Sequence, residues 1–147
     1  MARRALAALT LLSAWACSRG DGELPAAYRD LPVPEERLVS AQASARGQAL
    51  FLEHCALCHG ARADGDGVRR EGLSTRPRDF TDPSWRRRAS PRAVFFVIRE
   101  GVRGTAMPSW KSLDEGQAWD LVAFLLSVGT PAQGVRKPGG EPQNLRP

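Results

Sequence analysis

The chain is poor in the residues that usually carry chemistry. Its 147 positions hold three cysteines, two histidines and two methionines, one of them the initiator. Few groups are therefore available as ligands, and a large multi-cluster metal protein is excluded. No segment shows the alternation of a half-buried strand, and no internal repeat is present. The longest apolar run, Ala5 to Ala16, is too short to span a bilayer as a helix. Positive charge is abundant, almost all of it arginine, and nine arginines face five acids between Arg62 and Arg92. Such a patch attracts anionic partners. No nucleic-acid motif accompanies it, so nucleic acid is not the expected partner.

The first sixteen residues, "MARRALAALTLLSAWA", have the form of an export signal, with Arg3 and Arg4 ahead of the apolar run. Removing them lowers the formal charge from +5 by two, to +3. Cys17 follows directly, behind Ala14, Trp15 and Ala16. This resembles the lipobox of bacterial lipoproteins, although Ala14 stands where leucine is usual. The resemblance implies lipidation of Cys17 and a membrane anchor on the periplasmic side of the cell envelope. Ser18 after it favours the outer membrane. The alternative is an exported protein cleaved near Ala16 without lipid, which leaves a lone thiol in an oxidising compartment.

Residues 18 to 40 are polar and proline-bearing and read as part of a flexible tether, 17–40. As a coil the 23 residues from 18 to 40 span roughly 25 Å, and roughly 75 Å at full extension. Residues 130–147 are rich in proline and glycine and read as a disordered tail. The expected folded unit is therefore 41–129. Three helices stand out in it. The first runs from Ser40 or Ser44 to Cys55, with Ala43, Gly47, Leu50, Phe51 and His54 on one face. The second opens with Ser90 as N-cap and Pro91 at the first helical position, and closes at Gly101. The third opens on a capping box of Ser112 and Glu115, carries the stripe Ala118, Leu121, Val122 and Leu125, and ends before Gly129 and Pro131. Residues 60–89 between the first two are irregular. A small domain with so much loop needs more than side chains to fill its core.

Within "EHCALCHGARADGDG", Cys55, Cys58 and His59 have three readings. Structural zinc needs four ligands, and no second cluster is present to complete the set. A thioredoxin-like pair needs a strand–helix setting, which is absent. Cys-x-x-Cys-His is also the signal for covalent haem attachment. Two thioethers would tie the vinyl groups to the chain and His59 would supply the proximal nitrogen. A low-spin carrier then needs a second strong ligand. His54 lies on the motif's own helix and is not expected to reach the opposite haem face. Met107, in "GVRGTAMPSW", is the one methionine left after the signal is removed. Pro108 biases it towards an extended loop. The plainer reading of Met107 is a core-filling side chain.

Together "ARGQALFLEHCALCHG", "RPRDFTD", "GTAMPSW" and "WDLVAFLLSVG" resemble a mono-haem class I c-type cytochrome over residues 44 to 129. The resemblance implies an all-α cytochrome c fold, with three main helices and loops wrapped around one covalent haem c. It implies that the first and last helices cross, with Gly47 and Phe51 against Leu121 and Phe124. It also implies a proline whose carbonyl accepts from the proximal histidine, and Pro77 is the matching position. "ADGDG" at residues 63 to 67 lacks the later ligands of a calcium loop and reads as a turn. Phe95, Phe96 and Trp119 read as core or pocket walls, and Arg78, Trp85 and Trp110 are candidates to bond the propionates.

The expected activity is one-electron transfer by a carrier, or by an electron-transfer subunit of an oxidoreductase chain, docking on redox protein partners that are anionic at the contact. No catalytic constellation accompanies the haem motif, so an enzyme is not expected. The alternative is a haem enzyme or gas sensor whose sixth ligand is displaceable.

Overall fold

A computed structural model describes residues 24–129. The export signal, Cys17 and the tail of 130–147 lie outside the described residues. Among the described residues there are seven helices and no strand: α1 Ala26–Arg29, α2 Glu35–Leu38, α3 Ala41–His54, α4 Ala56–His59, α5 Pro83–Arg86, α6 Pro91–Glu100 and α7 Glu115–Ser127. None is long and apolar enough to cross a membrane.

Helix α3 starts where its cap dictates. The Ser40 hydroxyl accepts from the Ala43 amide at 3.3 Å, and Ala43, Gly47 and Phe51 then repeat every four residues on the buried face. Helix α6 opens at Ser90 and Pro91 and closes at Gly101, whose φ of 70° suits glycine. The start of α7 differs from expectation. Its N-cap is Asp114, which accepts from the Gln117 amide at 2.8 Å while Gln117 Oε1 accepts from the Asp114 amide at 2.9 Å. Ser112 and Glu115 do not form the box. Residues 110–113 are already closed into a turn by the Leu113 amide on Trp110 O, and Leu113 is buried there, so the helix cannot begin two residues earlier.

Helices α3 and α7 cross at Gly47. A Cβ on Gly47 would lie 1.9 Å from the Asp120 carbonyl oxygen and 2.9 Å from Phe124 Cβ. The glycine thus meets Phe124, as expected, and the Asp120 backbone. Phe51 packs on Phe124 with ring centroids 5.2 Å apart. Helix α7 is buried almost all round because α2, α3 and α6 each cover a side of it.

The flexible tether predicted for residues 17–40 is corrected over its described part. Residues 24–40 form a strap that is part of the folded unit. Leu24 is buried, and Tyr28, Leu31, Val33 and Leu38 pack against the core. The Arg92 guanidinium donates to Leu31 O at 2.8 Å. Arg37 and Arg46 both bond the buried Asp120, at 2.8 and 2.7 Å. Burial pushes the Asp120 carboxyl up, but the hydrogen bonds and charges of Arg46 and Arg37 outweigh it and hold the group below the ordinary carboxylate range. Pro25, Pro32 and Pro34 stiffen this segment; in the sequence they had suggested a linker.

Candidate haem-binding site

The short helix α4 presents the motif. The Cys58 and His59 amides bond Cys55 O at 3.1 and 2.9 Å, so Cys55 to His59 make one tight turn. Its outgoing carbonyls are clasped by the next loop: the Arg69, Gly67 and Gly65 amides donate to Leu57 O, Cys58 O and His59 O at 2.9, 3.2 and 2.8 Å. "ADGDG" is therefore a turn, as expected, and also the brace of the motif. Ala63 at its start is buried with φ 60°.

The His59 ring lies between Phe51 and Phe80, with centroids at 6.3 and 5.0 Å. Its Nδ1 is 3.0 Å from Arg78 O. A carbonyl can only accept, so Nδ1 carries the proton and Nε2 is left as a bare donor atom for a metal. Burial lowers the pKa of the ring, against the opposing pull of that hydrogen bond. The acceptor corrects the expectation for Pro77. The neighbouring carbonyls of Pro77 and Arg78 meet different partners. Pro77 O faces Gly65, where an added Cβ would lie 2.8 Å from it, and Arg78 O faces His59.

Cys55, Cys58, His59, Pro77 and Met107 all line one cavity of about 450 Å³. Arg78, Trp85 and Trp110 line it too. Phe95 and Trp119 do not: they stack on each other at 4.3 Å inside the core. Met107 arrives on a loop closed by the Val102 amide on Met107 O at 3.1 Å, with the Met107 amide on Thr105 Oγ1 at 3.2 Å. His54 also lines the cavity, its ring 5.0 Å from that of Trp110. Its helical register with Phe51 and Leu50 was a signal for this. Leu73, Thr75 and Arg76 close another side, and no periodic pattern marked them in advance.

This donor set fits haem better than its rivals. Burial pushes the Cys55 thiol up to about 11, with the nearby Cys58 adding to the shift. A free thiol held protonated is a slow disulfide nucleophile. Among the described residues no three His, Cys, Asp or Glu side chains converge on a metal position. What converges instead is two thiols at the attachment spacing, one imidazole with a fixed tautomer, and apolar walls from Phe51, Phe80, Ile98 and Leu121.

A helical fold that sets Cys-x-x-Cys-His at the edge of such a cavity defines a c-type cytochrome domain. The family model described as "Cytochrome C oxidase, cbb3-type, subunit III" matches residues 42–125, and the chain belongs to that family. It is 35% identical over 81 residues to cytochrome c55X of Stutzerimonas stutzeri, a match covering 52% of this chain and 60% of that protein. The chain thus spans less than two thirds of this curated relative. Among solved structures it is similar to the reducing HAO-like protein complex Kustc0457/Kustc0458 of Kuenenia stuttgartiensis. There the TM-score is 0.53 and the identity 25%, over 67% of this chain and 45% of the other. It also shares its fold with cytochrome CL of Methylophaga aminisulfidivorans. That TM-score is 0.51 at 21% identity, over 73% and 70% of the two chains. The cofactor is covalently bound haem c, and the function of the family is haem-based electron transfer.

Proposed function

We propose that the chain is a one-electron carrier, or the electron-transfer subunit of a respiratory oxidoreductase, in which His59 and Met107 are the axial ligands. The observation that carries this reading is that Met107, from the loop after α6, lines the same cavity as His59 from α4. When bound, the haem supplies a reversible one-electron couple. The residues of the chain do the rest. Arg78 O fixes the proximal ring, the apolar walls keep water away, and a neutral thioether favours the less charged ferrous state. The family description names an oxidase subunit, and one structural neighbour is part of a redox complex, which supports a role beside larger partners.

Met107→Ala tests the ligand set. Covalent haem should remain, the reduced variant should gain carbon monoxide binding, and its potential should fall. His54→Ala is the paired control, since His54 lines the same cavity; it should keep the wild-type spectrum. An altered spectrum in His54→Ala with an unaltered one in Met107→Ala would give the sixth position to His54. Wild-type protein that itself binds carbon monoxide readily would favour the haem enzyme or gas-sensor reading.

The proposed partners are acidic redox proteins. Arg76 and Arg78 line the cavity, and Arg69, Arg87, Arg88 and Arg103 are exposed. Electron exchange with such a partner should slow as ionic strength rises, because exposed charges are screened over about 8–10 Å near physiological salt. A rate that ignores salt would count against this surface. The proposed location is the periplasmic side of the envelope, anchored by lipid on Cys17 to a membrane, the outer one by preference. Support comes from the sequence alone. Cys17→Ser should move the protein from the detergent-extracted fraction to the soluble one; identical fractionation of both forms would remove the anchor.

A further inference from the structure

The Met107 loop is fastened on its outgoing limb to the last turn of α6. Ser109 Oγ donates to Arg99 O at 2.6 Å, and the Trp110 amide to Ile98 O at 3.0 Å. The Arg99 guanidinium reaches Lys111 O and Leu113 O. Lys111 Nζ lies 2.7 Å from Glu100 Oε2. Glu100 therefore stands at the hinge where α6 hands over to the loop. Its other oxygen, Oε1, accepts from the hydroxyl of Tyr28, which lies 72 positions earlier in the strap. The Tyr28 ring is seated edge-on against Phe96, with centroids 4.9 Å apart, and tilted against Phe95 at 6.3 Å. One carboxylate thus joins the N-terminal strap to the segment that presents Met107.

We propose that Tyr28 is a positioning residue for the sixth ligand: through Glu100 and Lys111 it holds the Met107 loop closed on the haem cavity. The inference rests on the reading of Met107 as that ligand. It gives the strap a task beyond covering the core. Glu100 is half-buried and bonded on both oxygens, so losing either bond frees one side of the hinge. Burial and the Glu100 hydrogen bond both keep the Tyr28 phenol protonated, which preserves it as a donor. The other end of the strap is fastened elsewhere, by Arg37 on Asp120 of α7.

The test uses the intact holoprotein and carbon monoxide as probe. Tyr28→Phe keeps the ring and removes only the hydroxyl. The rate at which the reduced protein captures carbon monoxide reports opening of the sixth site. Tyr28→Phe should raise that rate by about threefold to tenfold, the scale of one hydrogen bond's ordinary net contribution. Glu100→Gln should do the same, and Met107→Ala sets the ceiling. Arg37→Gln is the control for a structural effect: it should lower the denaturation midpoint without changing capture. If Met107→Ala captures fast and Tyr28→Phe matches wild type, the ligand reading stands and the positioning role is overturned. If Tyr28→Phe speeds capture no more than Arg37→Gln, the effect is general loosening and the proposal also fails. If Met107→Ala captures no faster than wild type, the ligand assignment falls and the positioning role falls with it.

Discussion

Gly47→Ala should cost the domain on the order of 3–5 kcal/mol, at the severe end for a single methyl group. In an isolated helix the change would help, since alanine exceeds glycine in helix propensity by about 1 kcal/mol. Here the added carbon would sit 1.9 Å from the Asp120 carbonyl oxygen and 2.5 Å from its carbon. Both are backbone atoms in the most buried helix, so no side-chain rotation relieves the clash. Helices α3 and α7 would have to separate by more than an ångström. That movement would loosen Phe51 from Phe124 and strain the bonds of Arg37 and Arg46 to Asp120. Phe51 also packs on His59, so the proximal side would be disturbed as well. Denaturant titration of the holoprotein, followed by helix signal and haem absorbance, should show a large fall in midpoint. A midpoint equal to wild type or higher would mean that the crossing is looser than the backbone contact demands.

Legibility of the fold in the sequence followed how local each signal was. Ser90, Pro91 and Gly101 bracket α6 by cap chemistry that needs no partner, and the bounds come out as expected. At α7 two cap patterns overlap, Ser112 with Glu115 and Asp114 with Gln117. The choice is made by the turn at Trp110 to Leu113, which belongs to tertiary structure. The strap shows the larger difference. Its four-residue helices are too short to display a period, and its prolines have the composition of a linker. What orders it is distant: Phe95 and Phe96 under Tyr28, and Asp120 beside Arg37.

The site divides in the same way. Cys55, Cys58 and His59 fall within one five-residue stretch, so the attachment signal is complete in the sequence. Met107, proposed as the sixth ligand, was singled out by elimination among few methionines, and it lines the cavity. The partner of His59 was not, because Pro77 and Arg78 are adjacent carbonyls. Only the local course of the backbone decides that Arg78 O takes the hydrogen bond. Tyr28 could not be tied to the Met107 loop by any spacing, since Glu100 joins them across 72 positions.

The joint replacement Cys55→Ala and Cys58→Ala should leave a chain that neither retains haem after denaturation nor folds cooperatively. The two thiols are the only attachment points the cavity offers among the described residues. Without a filled cavity, about 450 Å³ bounded by Phe51, Phe80, Ile98 and Leu121 loses its packing partner. At roughly 24 cal/mol per Å³ a sealed void of that size would cost about 11 kcal/mol. The mouth is open to solvent, so the sealed figure is an upper bound. Even half of it is comparable to the whole stability of a small domain, about 5–15 kcal/mol. The brace around His59 offers little reserve, because its bonds are loop amides on α4 carbonyls whose geometry depends on the same walls. The single variants should be milder. Each keeps one thioether, so mass spectrometry after denaturation should still show one haem on Cys55→Ala and on Cys58→Ala, and none on the double variant. Tryptophan fluorescence should report the loss of order directly, since Trp85 and Trp110 line the cavity. A double variant that unfolds cooperatively near the wild-type midpoint, with no haem present, would show that the α3–α7 crossing and the strap sustain the fold unaided. Covalent haem on the double variant would contradict the attachment itself.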